Sequence, residues 1–123
     1  MKLKLLTLVI FIATWVSTQP AIAHAQVTSS FPLRNQVITQ IPKWVWIEFD
    51  GNLLVFGGKN PNQISITDSK SRRVDIGGTV IGGARISTKL MANLKDGRYQ
   101  IKYRVVSEDG HPVQGSYYFT FKN

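Results

Sequence analysis

Cysteine is absent from this chain, which excludes disulfides, thiolate zinc sites, iron–sulfur clusters and thiol catalysis. A lipid anchor on a leader cysteine is excluded with them. Acidic residues are scarce, seven Asp and Glu against fifteen Lys and Arg, and the formal charge is +8. Glu108-Asp109 is the only adjacent acidic pair, so the two-carboxylate chemistry of hydrolases has little to build on. Histidine occurs only as His24 and His111. There is no G-x-S-x-G, P-loop, H-E-x-x-H or dinucleotide-binding fingerprint. No apolar run reaches the roughly 18 to 20 residues that span a bilayer. A length of 123 residues leaves no room for two stacked domains or a large multi-substrate enzyme.

What is present begins with a leader. Met1 to Lys4 is a short positive segment, Leu5 to Val16 is apolar, and Ala21-Ile22-Ala23 is a small-x-small cleavage box. That layout predicts a secretory signal peptide over residues 1–23, leaving residues 24–123 as one mature domain. A second box, Ala23-His24-Ala25, would start the mature chain at Gln26 instead, and leader rules do not separate the two. The expected product is exported and soluble, in the periplasm or on the extracellular face, with no transmembrane segment. Losing Lys2 and Lys4 with the leader lowers the charge from +8 to +6. The remaining cations are dispersed, with only Arg72-Arg73 adjacent. This favours solubility and general surface attraction over a nucleic-acid site.

Alternation and turn residues divide the mature part into short strands. Val27 to Phe31 is one, and Val45, Ile47 and Phe49 alternate with Trp44, Trp46 and Glu48 on the next. Leu53 to Phe56, Gln63 to Thr67, Thr79 to Ile81 between two Gly-Gly pairs, and Arg85 to Leu90 read as further extended pieces. The clearest pattern is a hairpin: Tyr99, Ile101, Tyr103 and Val105, a loop over Ser107 to Val113, then Tyr117, Phe119 and Phe121. Leu94 to Tyr99 reads as the approach to a tyrosine corner. About seven short strands without an amphipathic helix predict an all-β, Greek-key immunoglobulin-like sandwich.

The chemistry concentrates on that hairpin loop, Ser107-Glu108-Asp109-Gly110-His111-Pro112. In an extended segment Asp109 and His111 leave the same face, while Glu108 points away. By itself this is equally an Asp-Gly turn carrying an exposed histidine. His24 changes the reading. A histidine at the mature N-terminus offers its α-amine and its ring Nδ1, which together close a six-membered chelate. With Asp109 and His111 the set is three nitrogens and one oxygen, suited to tetragonal Cu(II). Catalytic zinc could use similar ligands, but the amine favours copper.

These residues resemble the CopC family of exported copper-binding proteins over almost the whole mature region. The resemblance rests on His24 after the A-x-A box, Ser29-Ser30-Phe31-Pro32, and Pro42 leading into Val45-x-Ile47-x-Phe49. It continues through Leu94-x-x-Gly97-x-Tyr99 and is most specific across Tyr103 to Val113 with Gly115. It implies an immunoglobulin-like sandwich and one Cu(II) per chain, held by His24 (amine and ring), Asp109 and His111. It also implies cleavage after Ala23 and a role in copper resistance or uptake, often beside a membrane copper importer. The expectation is a monomer that is not an enzyme and does not bind nucleic acid. In two places the chain departs from the family. Met91 is the single methionine after the leader, too few for the methionine-rich Cu(I) loop of some members, and core packing is its expected role. Leu33-Arg34-Asn35 stands where many relatives have a small-acidic-glycine turn.

Two other functions compete. A histidine-brace copper monooxygenase also uses an N-terminal histidine, but it keeps a coordination position open that Asp109 would fill here. A metal-free immunoglobulin-like interaction module would explain the fold and leave both histidines without a role.

Overall fold

Period-two alternation puts one face of each strand in the core. Along β3 (Trp44–Phe49), Val45, Ile47 and Phe49 are buried, while Trp44, Trp46 and Glu48 face outward. The same pattern buries Ile64 and Ile66 on β4 (Gln63–Thr67) and Ile86, Thr88 and Leu90 on β6 (Arg85–Leu90). β7 (Gly97–Val106) contributes Tyr99, Ile101 and Val105, and β8 (Pro112–Phe121) contributes Tyr117, Phe119 and Phe121. Each buried Val, Leu, Ile or Phe among them stabilises the fold by about 1.5–3 kcal/mol relative to exposure. The remaining strands are β1 (Val27–Phe31), β2 (Val37–Ile38) and β5 (Asp75–Gly82). This computed structural model describes residues 25–123; the proposed leader and His24 lie outside them.

The strands form two four-stranded sheets, ordered β1-β3-β6-β5 and β2-β8-β7-β4. The hairpins β5–β6 and β7–β8 stay within a sheet, and every other connection crosses between sheets. The result is the predicted all-β, Greek-key immunoglobulin-like sandwich. No helix among the described residues is long and apolar enough to cross a membrane.

The described residues form eight strands, one more than the approximate seven expected. The addition is β2, two residues paired in parallel with Thr120 and Phe121 of β8, too short to show alternation in sequence. Leu53 to Phe56 is not a strand. It makes isolated bridges, Leu53 to Ser107 and Phe56 to Lys59, because the chain crosses from one sheet to the other there. Gly77-Gly78 does not bracket a strand but sits inside β5, as a break in register between Ile76 and Val80. Both glycines have φ near +80°, and Thr88 donates from Oγ1 to the Gly78 carbonyl at 3.1 Å.

The tyrosine corner is present, with the Tyr99 hydroxyl donating to the Lys95 carbonyl at 2.6 Å. Met91 is half-buried and packs against the core cluster. At the Leu33-Arg34-Asn35 departure, Asn35 takes φ +61° and its N–H donates to the Tyr118 carbonyl at 2.7 Å. Gly115 lies opposite Tyr103 across the β7–β8 ladder. A Cβ there would collide with the Tyr103 ring, so that position has no room for a side chain.

Candidate metal centre

β7 and β8 form a ten-pair ladder from Gly97↔Phe121 to Val106↔Pro112, which makes their connecting loop a short arch on a rigid base. The arch is a turn, because Gly110 donates its N–H to the Ser107 carbonyl at 2.8 Å and takes φ +84°. Asp109 and His111 do converge, with His111 Nδ1 3.1 Å from Asp109 Oδ2. The reason differs from the expected one. The turn brings them together, not the two-residue period of an extended strand, so alternation does not decide where Glu108 points. Glu108 lines the same shallow cleft as Asp109.

The Asp109 carboxylate is fixed from three directions. The Ser107 hydroxyl donates to Oδ1, the His111 backbone N–H donates to Oδ1 at 3.1 Å, and the His111 ring meets Oδ2. Together they hold its pKa down to about 2, with the Ser107 hydroxyl the largest cause. At neutral pH this is a fully ionised oxygen donor. Both side chains remain open to a ligand, at 64% exposed for His111 and 34% for Asp109. The exposed histidine on an Asp-Gly turn is therefore real, and it coexists with an ordered contact between its ring and the Asp109 carboxylate.

Ser107 is the residue that the sequence did not single out. It is buried, and besides Asp109 it binds the His111 carbonyl through its N–H at 3.2 Å and its hydroxyl at 3.3 Å. Its base is held in turn by Asn62, which is 1% exposed. Asn62 Oδ1 accepts from the Val106 N–H at 2.8 Å, and Nδ2 donates to the Leu54 carbonyl at 2.9 Å. Nothing in the run Asn60-Pro61-Asn62 marks that role beforehand.

Among the described residues no group of three or more His, Cys, Asp and Glu could hold a metal ion. Asp109 and His111 supply two donors, and the third expected residue, His24, lies outside the described part. Its neighbour Ala25 is described. Ala25 is buried in the core cluster and lines the same cleft as Asp109, a space of about 290 Å³ that Asp50 to Asn52 also border. Gln26 fixes the exit of the chain: its N–H donates to Asp50 Oδ1 at 2.9 Å, and its carbonyl accepts from the Asp50 N–H at 2.9 Å.

Three comparisons bear on this geometry. A family model, the CopC domain, matches residues 27–122. Protein YobA of Escherichia coli (strain K12) is 28% identical over 118 residues, covering 90% of this chain and 89% of the relative. The crystal structure of CopC from Methylosinus trichosporium OB3b is similar at a TM-score of 0.69 and 28% identity, covering 80% of this chain and 94% of that one. PcoC from Escherichia coli, a methionine-rich copper resistance protein, is similar at a TM-score of 0.61 and 28% identity, covering 81% and 100%.

Proposed function

This chain belongs to the CopC family, and from that premise we propose that it is an exported Cu(II) carrier or buffer serving copper resistance or uptake. Residues 1–23 act as a signal peptide, and their removal frees the His24 amine. One Cu(II) is then held by that amine, the His24 ring, Asp109 and His111. The observation that carries this reading is the placement of Ala25. It lies in the cleft beside Asp109 and is the immediate sequence neighbour of His24. An amine, two imidazoles and a carboxylate suit Cu(II), for which nitrogen and oxygen donors in tetragonal geometry are preferred.

Carrier function fits better than oxidation catalysis. Asp109 is oriented by Ser107 and His111 before any metal arrives, so it completes a closed coordination set. With Met91 the single methionine of residues 24–123, a methionine-built Cu(I) site is not part of the proposal. The copper goes to, or comes from, a partner outside the cytoplasm, a membrane copper importer being the family's usual neighbour.

The test is the mature N-terminus. Mass spectrometry of the secreted protein should find His24 first, and that form should bind one Cu(II). Adding one alanine ahead of His24 turns the amine into an amide and should weaken binding strongly, with the stability of the copper-free protein unchanged. Equal affinity in the extended form would refute the N-terminal chelate.

A further inference from the structure

The two outer faces of the sandwich differ in charge. On the β1-β3-β6-β5 sheet, Arg85 is neutralised by Glu48 at 2.5 Å while stacking over Trp46 at 4.0 Å, which leaves Lys89, 5.3 Å from the Trp44 ring centroid, as the one uncompensated cation on its described strands. The β4-β7-β8 face has no such compensation. Along β7 the outward positions are Arg98, Gln100, Lys102 and Arg104, and no Asp or Glu occupies an outward position on β4, β7 or β8. Cross-strand register sets each cation between neutral polar groups. Lys102 lies between Ser65 and Ser116, and Arg104 between Gln63 and Gln114. Arg98 lies flat over the Tyr118 ring, 3.8 Å from its centroid. Arg98, Lys102 and Arg104 are exposed and form no salt bridge among the described residues.

Leaving several like charges uncompensated on one plane costs self-repulsion, so an anionic partner is the complement of this face. Its extent says which kind. Arg98 to Arg104 spans about 20 Å at roughly 3.3 Å per residue, and a groove of about 540 Å³ opens beside them, bordered by Arg73, Thr79 and Ser116. One small anion would engage a single row. A plane of phosphates engages all of them. We propose that this face docks on the phosphate-bearing surface of an anionic lipid bilayer, with Lys102 and Arg104 as its central anchors. Asp109 and His111 lie on the β7–β8 loop at the end of the sandwich, outside this face, so membrane attachment and metal binding are separable.

The experiment is co-sedimentation of the purified protein with phosphatidylglycerol–phosphatidylcholine vesicles at low salt. The protein should partition onto them and not onto pure phosphatidylcholine, and raising the salt should release it as the Debye length shortens. Each Lys or Arg near an anionic surface is worth about fivefold in partition. Lys102→Gln with Arg104→Gln should therefore weaken binding about thirtyfold, with copper titration unchanged. Lys43→Gln with Lys89→Gln removes the same charge from β6 of the other sheet and from the residue that precedes β3, and should cost less than about threefold. The proposal is overturned if the protein ignores the anionic vesicles, or if both double variants lose equally, since net charge alone would then explain binding. Duplex DNA bound through Lys102 and Arg104 by a protein that ignores vesicles would overturn it too, assigning the face to nucleic acid.

Discussion

Asn62→Ala tests whether the candidate metal centre stands on a built foundation. The Asn62 side chain makes three bonds, to the Val106 N–H at 2.8 Å and to the Leu54 carbonyl and Asn60 Oδ1 at 2.9 Å each. Truncation leaves the Val106 N–H and the Leu54 carbonyl without their partner. A buried backbone group so orphaned costs about 1–3 kcal/mol, so two of them predict a loss of about 2–6 kcal/mol. That is a large share of the 5–15 kcal/mol by which domains of this size are stable. At about 4–8 °C per kcal/mol, Tm should fall by at least about 8 °C. Urea and thermal unfolding of the copper-free protein measure it, and hydrogen exchange at the Val106 amide localises it. Val106 precedes Ser107, so Cu(II) affinity measured well below Tm should also fall, because the arch holding Asp109 has lost its base. A loss under about 1 kcal/mol would place Asn62 with ordinary surface substitutions and refute the reasoning.

Ser107→Ala removes the strongest influence on Asp109, whose pKa should climb from about 2 toward the ordinary 3.8, as followed by NMR titration. The sign follows from the depressed folded value. The pair stabilises the loop above the unfolded carboxyl pKa and is lost as pH falls toward about 2, so in Ser107→Ala the loop should loosen at higher pH than in the parent. For scale, structural Zn2+ sites of four ligands bind with about 10–16 kcal/mol in all, or about 2.5–4 kcal/mol per ligand. Asp109→Ala and His111→Ala should each weaken Cu(II) by about an order of magnitude or more in calorimetric titration. Glu108→Ala should cost far less, although Glu108 lines the same cleft; equal damage would move the carboxylate assignment. Reductant with a Cu(I) chelator should strip the metal completely, because no sulfur cluster accompanies the nitrogen and oxygen donors. Copper retained as Cu(I) would reveal a different site.

How much of this was legible in the sequence depended on how far apart the interacting residues lie. Period-two patterns are local, and β3, β4, β6, β7 and β8 were all readable, as was the tyrosine corner, whose bond spans four residues from Tyr99 to Lys95. β2 was not readable, since its existence depends on Thr120 and Phe121 being alongside. The candidate site divides in the same way. Asp109 and His111 are two residues apart, and their convergence could be anticipated even though a turn produces it. The residues that position them reach across the fold: Asn62 to Val106 over 44 positions, and Gln26 to Asp50 over 24. Each of those bonds forms only once distant strands have paired, β4 with β7 for Asn62–Val106 and β1 with β3 for Gln26–Asp50. The Gln26–Asp50 bonds fix the residue next to Ala25, which lines the cleft, and so bear most directly on where the proposed N-terminal ligand can reach. A pattern that names the ligands is therefore weaker than it looks without the scaffold that aims them. Asn62 and Asp50 bind no metal in this reading, and they are the residues through which the fold itself would set the affinity.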